Sequence, residues 1–477
     1  MNFISKVLFF GALCFTVGFS GRVFAADQPR SYDVMEYGAK GDGIALDTAA
    51  VNAAIDAASK AGGGTVSFPA GTYRTVSIHL KSNITLYLDQ GATIEAAADG
   101  AGVAYDAPEA NPTAGEYQDF GHTHFHNSLI WGENLTNIAI LGPGRIWGNG
   151  LVREETRTST SGNKSICLKL CRNVILRDFT IQHGGWFGIL ATGVDNLTID
   201  DLKIDTNRDG MDIDCCRNVR VSNCTVNSPR DDGICLKSSY GLGFARPTQN
   251  VSITNCMVSG FDEGSVLDGT YRGGGGTGRI KFGTESNGGF INVSISNCVF
   301  DSCCGLALET VDGALLQDVS ISNITMRNIA NSPIFLRLGA RLRGPAGTVV
   351  GQLQRVNISN IVVYNASERN ACIIAGIPGH NIEDVNLSDI QIWTKGGGSA
   401  ADSAISPPEG INDYPEPNRF GTTPAYGFFV RHVQGITFDN IQLHTLTPDG
   451  RPPFVLTDVT GVRVRDTDGV PDAAKAP

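Results

Sequence analysis

Asp209 and the adjacent pair Asp231–Asp232 bracket one short hydrophobic segment, NVRVSNC at Asn218, inside the stretch from Asn207 to Ser238. Carboxyl groups gathered by a fold are acid–base equipment, because like charges at close range force their pKa values apart. The bracketed segment supplies a means of gathering them, since it recurs. NVILRDF starts at Asn173, NLTIDDL at Asn196 and NVSITNC at Asn250. The first apolar residues of these rungs are Val174, Leu197, Val219 and Val251, and twelve residues beyond them stand Trp186, Asp209, Asp231 and Glu263. Strands stacked in parallel lie roughly 4.8 Å apart, so the count predicts Asp209 directly over Asp231, with Asp232 alongside. The plain alternative is a solvated ladder of turn-forming aspartates. The shared repeat offset and the neighbouring glycines favour a site.

The elements that must position these carboxylates are the rungs themselves. They continue as NVSISNC at Asn292, DVSISNI at Asp318, RVNISNI at Arg355, DVNLSDI at Asp384 and GITFDNI at Gly435. A period of 22 to 23 residues, built only of alternating strands and Gly/Asn turns, predicts an all-β fold, a right-handed parallel β-helix. Asn recurring before the rungs predicts a buried amide ladder, and the many N-x-[ST] matches belong to that pattern rather than to glycosylation. Upstream, Asp47-Thr48 predicts the capped start of an amphipathic helix ending at Gly62–Gly64, followed by a strand from Thr65 to Phe68. Such a helix would cover the open first coil and its unpaired strand edges. The expected organisation is a leader over 1–25, a capping segment over 26–82, a β-helix catalytic domain over 83–465 and a flexible tail over 466–477. Gly264–Gly278 and the Pro/Gly/Ser-rich Gly396–Tyr426 read as loop insertions, the first bordering the site.

Composition narrows the partners. A net charge of −11 argues against nucleic acid, and a polyanionic ligand would need locally clustered Arg and Lys. Lys6, the apolar run Val7–Phe19 and the Val23-Phe24-Ala25 step resemble a cleaved secretory signal, predicting a secreted or periplasmic protein. That run is too short for a membrane anchor. Removing Cys14 with the leader leaves an odd number of cysteines, and Cys224, Cys256 and Cys298 recur at one repeat position. This favours buried free thiols over a disulfide framework.

Other residues carry two readings each. His122, His124 and His126 alternate, so a strand would aim all three one way, either as a polar loop edge near substrate or as a metal site. Trp186 could stack on a sugar ring or simply pack. Asp212 and Asp214 alternate with apolar residues and read as solvated.

NRDGMDIDCCRNVRVSNC followed by RDDGICLKS resembles the polygalacturonase family, glycoside hydrolase family 28, whose hallmark runs N-T-D-G-x-D, N-V-x-I-x-N-C, then G-D-D-C-I-x-x-K-S. The opening YGAKGDG…GGGTVSFPAGTY is similar to the start of pectin-active β-helix enzymes. The resemblance implies that Asp231 is the general acid and that Asp209 and Asp232 activate the attacking water, with inversion. It implies that Asn207 and Lys237 order the aspartates and the substrate, and it implies no metal or cofactor. Three departures concern substrate recognition. The family's G-H-G falls on Gly276-Thr277-Gly278, so its histidine is Thr277. Its G-L-R-I-K-T falls on GLALET, making Ala307 and Glu309 of its cations, with the R-I-K spelled by Arg279-Ile280-Lys281 set aside. Its tyrosine segment becomes NSPIFLRLGA, which brings in Arg337. Glu309 then either pairs with Arg337, helped by Arg341 or Arg343, or accepts hydroxyls of a neutral sugar such as rhamnose. The expected function is hydrolysis of pectic polysaccharide, exo-acting on rhamnogalacturonan-type oligosaccharides. A calcium-dependent β-helix lyase and a non-catalytic glycan-binding β-helix are the alternatives.

Overall fold

The computed structural model describes residues 31–100, 102–113, 115–154 and 161–471. Its strands stack in parallel into one continuous sheet that winds as a parallel β-helix. The predicted rung marks are in register, Val174 against Leu197, Leu197 against Val219 and Val219 against Val251. The column runs on through Val293, Val319, Val356, Val385 and Ile436 to Val462. These strands alternate buried and exposed residues, as in Arg217–Ser222. Period two therefore makes them readable from sequence.

A second column behaves differently. Phe187–Thr192, Asp209–Asp214, Ile234–Ser238, Ile280–Ser286 and Leu306–Thr310 stack in turn, and every residue in them is buried. Their inner faces line the solenoid core. Their outer faces are covered by loops, which is why charged residues here are enclosed rather than solvated.

The predicted helix spans Thr48–Lys60 and buries Val51, Ala54, Ile55 and Ala58. Its start is held differently from the expected cap. The Asp47 carboxylate accepts the Lys40 and Gly41 N–H groups at 2.7 and 3.0 Å, and Thr48 Oγ1 accepts from Val76 N–H. These bonds fasten the helix to the adjoining chain. The stacked coils begin before residue 83, because Gly64–Phe68 lies in register on Ile84–Leu88. The second half of the expected capping segment is thus part of the solenoid. The leader expected over 1–25 and the end of the tail beyond 471 lie outside the described residues.

The asparagine ladder exists, but on the surface. Asn137, Asn173, Asn196, Asn218, Asn250 and Asn292 each donate to the asparagine of the preceding coil. These asparagines hold φ near +55 to +60°, a left-handed corner that Asn tolerates, and that corner points outward. The described cysteines are free thiols, all buried except the partly exposed Cys304. No helix among the described residues is long and apolar enough to cross a membrane.

Ile253 sits between Val221 and Ile295 in the core column with no exposed surface. Ile253→Ala should cost about 2–4 kcal/mol in denaturant unfolding. Ser252→Ala, on the exposed side of the same strand, should change stability by less than about 0.5 kcal/mol.

Candidate active site

Asp209, Asp231 and Asp232 do come together, each offering an oxygen within 4.8 Å of the others. The register differs from the expected one by a single residue. Met211 pairs with Ile234, and Gly210 N–H donates to the Asp232 carbonyl, so Asp209 stands in line with Asp232. The turn after Asn227 is one residue longer than its counterpart after Asp205, and Asp231 is the residue it pushes out. Asp231 accordingly keeps 26 % of its side chain exposed, whereas Asp209 and Asp232 are buried. Gly210 makes this close stacking possible, since a Cβ there would lie 2.4 Å from the Gly233 carbonyl.

Trp186 and Glu263 leave the expected column for the same kind of reason. Phe187, not Trp186, is in register with Asp209. Trp186 is nearly buried against Phe187, and the Arg208 guanidinium covers it at 4.5 Å. It props Arg208, which pairs with Asp231 at 2.6 Å. Glu263 pairs with Arg153 and His183, tying the Gly264–Gly278 insertion to the neighbouring loop. Asp205 anchors the same insertion by accepting N–H bonds from Gly264, Val266 and Leu267. Gly273–Gly276, Thr277, Asn207 and Arg230 line a cleft of about 630 Å³ next to the aspartate turn.

Burial and neighbouring charges push the three carboxyl groups in different pKa directions. Burial pushes Asp209 well above the usual carboxylate range, reinforced by Asp212, Asp231 and Asp232, and its Oδ1 has no hydrogen-bond partner among the described residues. Burial and the Asp232 charge also raise Asp231, against the pull of Arg208. For Asp232 burial is outweighed by Lys281, Arg279 and Lys237, and its pKa falls. Arg279 Nε donates to Asp232 at 2.8 Å, and Lys281 Nζ lies 3.3 Å from it. The Arg279-Ile280-Lys281 segment set aside in the sequence reading therefore supplies cations at the carboxylates. The expectation that positive charge is lost here is wrong, because strand Ile280–Ser286 stacks directly on Ile234–Ser238.

Glu309 satisfies neither of its expected roles. It has no exposed surface, so no sugar reaches it as the chain stands, and its nearest cation is Lys281 at 3.6 Å. Arg337, although in register with Glu309, donates instead to the carbonyls of Gly376, Glu409 and Gly410. Arg341 pairs with Asp312, and Arg343 lies by Asp119.

Asp212 and Asp214 are buried, contrary to the solvated reading. Asp214 accepts from Ser239 N–H and Oγ. Asp212 faces His122 Nε2 at 3.1 Å and Lys237 Nζ at 3.9 Å, and Lys237 meets Glu285 at 3.0 Å. Burial and Lys237 would lower the His122 pKa, but Asp212 and Glu285 raise it. The histidines do not converge. His124 stacks on Phe120, and His126 stacks on Trp131 with Glu133 at 3.0 Å. Their segment opens as a 3-10 turn, Phe120–His122, not a strand. Among the described residues the group suited to a metal ion is the aspartate triad, and Arg208, Arg279, Lys281 and Lys237 already act on its carboxyl groups. Arg208, Glu285 and Glu416 were not singled out from sequence, and Asp212 was weighed there only as a solvated residue. Only Arg208 and Asp212, beside the motif aspartates, carried a local signal.

A parallel β-helix with clustered carboxylic acids on one covered sheet face is a rigid frame for acid–base chemistry. The family model described as "Glycosyl hydrolases family 28" matches residues 99–407, and "Rhamnogalacturonase A/epimerase, pectate lyase-like" matches 31–139. The chain belongs to glycosyl hydrolase family 28 and is a glycosidase that hydrolyses O-glycosyl bonds. It is similar to a "Probable polygalacturonase" of Vitis vinifera, 24 % identical over 84 % of this chain and 82 % of that one. It also resembles an "Exo-poly-alpha-D-galacturonosidase" of Dickeya chrysanthemi, at 27 % identity over 57 % of this chain and 41 % of that protein. The family 28 exopolygalacturonase structure of Yersinia enterocolitica shares the fold with a TM-score of 0.67 and 18 % identity, covering 93 % of this chain and 79 % of that one.

Glu285→Ala would leave Lys237 buried with only the more distant Asp212 as its ion-pair partner. We expect a loss of about 3–5 kcal/mol in unfolding stability, with Glu285→Gln costing less. A change under about 1 kcal/mol for the alanine variant would contradict the buried-network assignment.

Proposed function

We propose that this protein is an exported hydrolase of pectic polysaccharide in which Asp231 is the general acid and Asp232, with Asp209, activates the attacking water. The observation that carries the reading is the cluster of three neighbouring carboxyl groups that differ in exposure and in the charges around them. Asp231 is the raised and partly exposed one, suited to protonate a leaving oxygen. Asp232 is the lowered one, held ionised by Arg279 and Lys281 once its burial is outweighed. Asp209, raised by burial, completes the cradle with a buried carboxyl oxygen that has no hydrogen-bond partner among the described residues. Asn207 and Thr277 contribute to the cleft beside it, and Lys237 supports the carboxylates from beneath.

Inversion is proposed on family membership. Acid and base in inverting enzymes usually stand about 6.5–9.5 Å apart, and the oxygens here approach within 4.8 Å, so the separation itself does not argue for it. Exo action is supported by the Gly264–Gly278 insertion, which is pinned through Asp205 and Glu263 and walls the cleft. Export to the periplasm or the medium is supported by the leader pattern of residues 1–25. The calcium-dependent lyase would place a calcium ion at the triad, where Arg208, Arg279 and Lys281 already stand.

Asp231→Asn should lower the rate on the preferred substrate by roughly two to four orders of magnitude while the unfolding transition stays close to wild type. Turnover at the wild-type rate would refute the acid assignment. On a long pectic polymer, reducing ends should accumulate while viscosity falls slowly. An early collapse of viscosity with few new ends would show internal cleavage instead. Products carrying a 4,5-double bond would identify a lyase.

A further inference from the structure

Arg279 and Lys281 bring two buried positive charges to the proposed cleavage point, and their remaining bonds decide what they can recognise. Arg279 is 1 % exposed, and beyond its bond to Asp232 its two terminal nitrogens donate to the two carboxylate oxygens of Glu416, Nη1 at 3.2 Å. Lys281 Nζ faces Asp232 at 3.3 Å, the Tyr414 hydroxyl at 3.3 Å, Glu309 at 3.6 Å and Glu416 at 3.9 Å. Burial, opposed by Lys281 and Arg279, raises Glu309 to about 8, so it stays protonated near neutrality. The two cations are then matched by two anions, Asp232 and Glu416, before any ligand enters.

Glu416 belongs to the Gly396–Tyr426 insertion, which does not trail away from the solenoid but folds back over its charged face. Arg337 and Arg431 hold the carbonyls of Pro407, Pro408, Glu409 and Gly410. Phe420, at the end of the turn Pro417–Phe420, packs on Phe335 and Phe429. Arg279, Lys281, Asp232 and Glu309 lie enclosed beneath. The surface left to a sugar is the Glu416 carboxylate, 26 % exposed, and the Tyr414 ring.

We propose that Glu416 is a specificity-determining residue that takes the Arg279 guanidinium in place of a substrate carboxylate, and so selects a sugar that is uncharged or esterified beside Asp232. A sugar hydroxyl donates to the exposed Glu416 oxygen, and Tyr414 offers an apolar ring face. A free uronate there meets a like charge and must displace a bidentate ion pair to be bound. The inference rests on reading Asp231 and Asp232 as the cleavage point, and it names the sugar class for that reading.

The test compares oligogalacturonate with the same oligomers methyl-esterified, a pair that differs chiefly in charge, using the full chain. Wild type should show the higher kcat/KM on the esterified form. Glu416→Gln should shift the ratio toward the free acid by about tenfold or more, chiefly through a lower KM for the acid. An unchanged ratio in an active Glu416→Gln protein would overturn the proposal. Calorimetric binding to Asp231→Asn keeps the loop intact and serves if Glu416→Gln unfolds. There the esterified trimer should bind more tightly, and tighter binding of the acid would overturn the proposal. Full activity of Asp231→Asn would instead sink the cleavage-point reading and leave the charge comparison standing.

Discussion

The structure depends on a charge balance imposed by strand stacking. Parallel coils set roughly 4.8 Å apart place Asp209 and Asp232 in line, and a turn longer by one residue pushes Asp231 out beside them. Three buried or half-buried anions at this range are not stable together unless protons or cations intervene. The cations come from the same stacking. Lys237 belongs to the strand following Asp232, and Arg279 and Lys281 belong to the start of the next coil. Arg208, in line with Trp186, serves the displaced Asp231. The solenoid register is therefore also the charge register. Its consequence is an acid and a base preorganised in a turn held between stacked strands, with little reorganisation left for the reaction itself.

Covering the charged face is the task of insertions rather than rungs. The segment containing His122 closes over Asp212, the Gly264–Gly278 loop lines the cleft, and the Gly396–Tyr426 loop brings Tyr414 and Glu416 onto Arg279 and Lys281. Each loop is fastened by buried polar bonds to backbone, as Asp205 and Arg337 illustrate. Specificity in such a design can change by altering loops while the solenoid core stays as it is.

How much of this was legible follows from the two sheet faces. The Arg217–Ser222 column alternates and has one solvated side, so Val174, Leu197, Val219 and Val251 announced the register unaided. The Asp209–Asp214 column is buried on both sides, where alternation loses its meaning, and Asp212 and Asp214 were accordingly misread as solvated. A fixed count of twelve failed by one at Asp231, because turns absorb single residues without disturbing the rungs. Arg279 and Lys281 spell the family's R-I-K, but their place in the chain does not say that their strand lies above the one following Asp232. Glu416 is 137 residues from Arg279 in sequence, and nothing local marks it. The aspartates were legible because their chemistry is local. Their counter-charges were not, because those arrive through tertiary stacking.

That the surrounding charges push Asp231 and Asp232 in opposite pKa directions is tested most directly by the pH dependence of kcat/KM in Arg208→Ala. Arg208 holds the raised Asp231 pKa down, and the acid must be protonated to act. Removing Arg208 should let that pKa rise and move the alkaline limb to higher pH by about one unit. The acidic limb, set by the lowered Asp232, should stay in place because Arg279 and Lys281 are untouched. An alkaline limb that stays put or moves to lower pH would contradict the account.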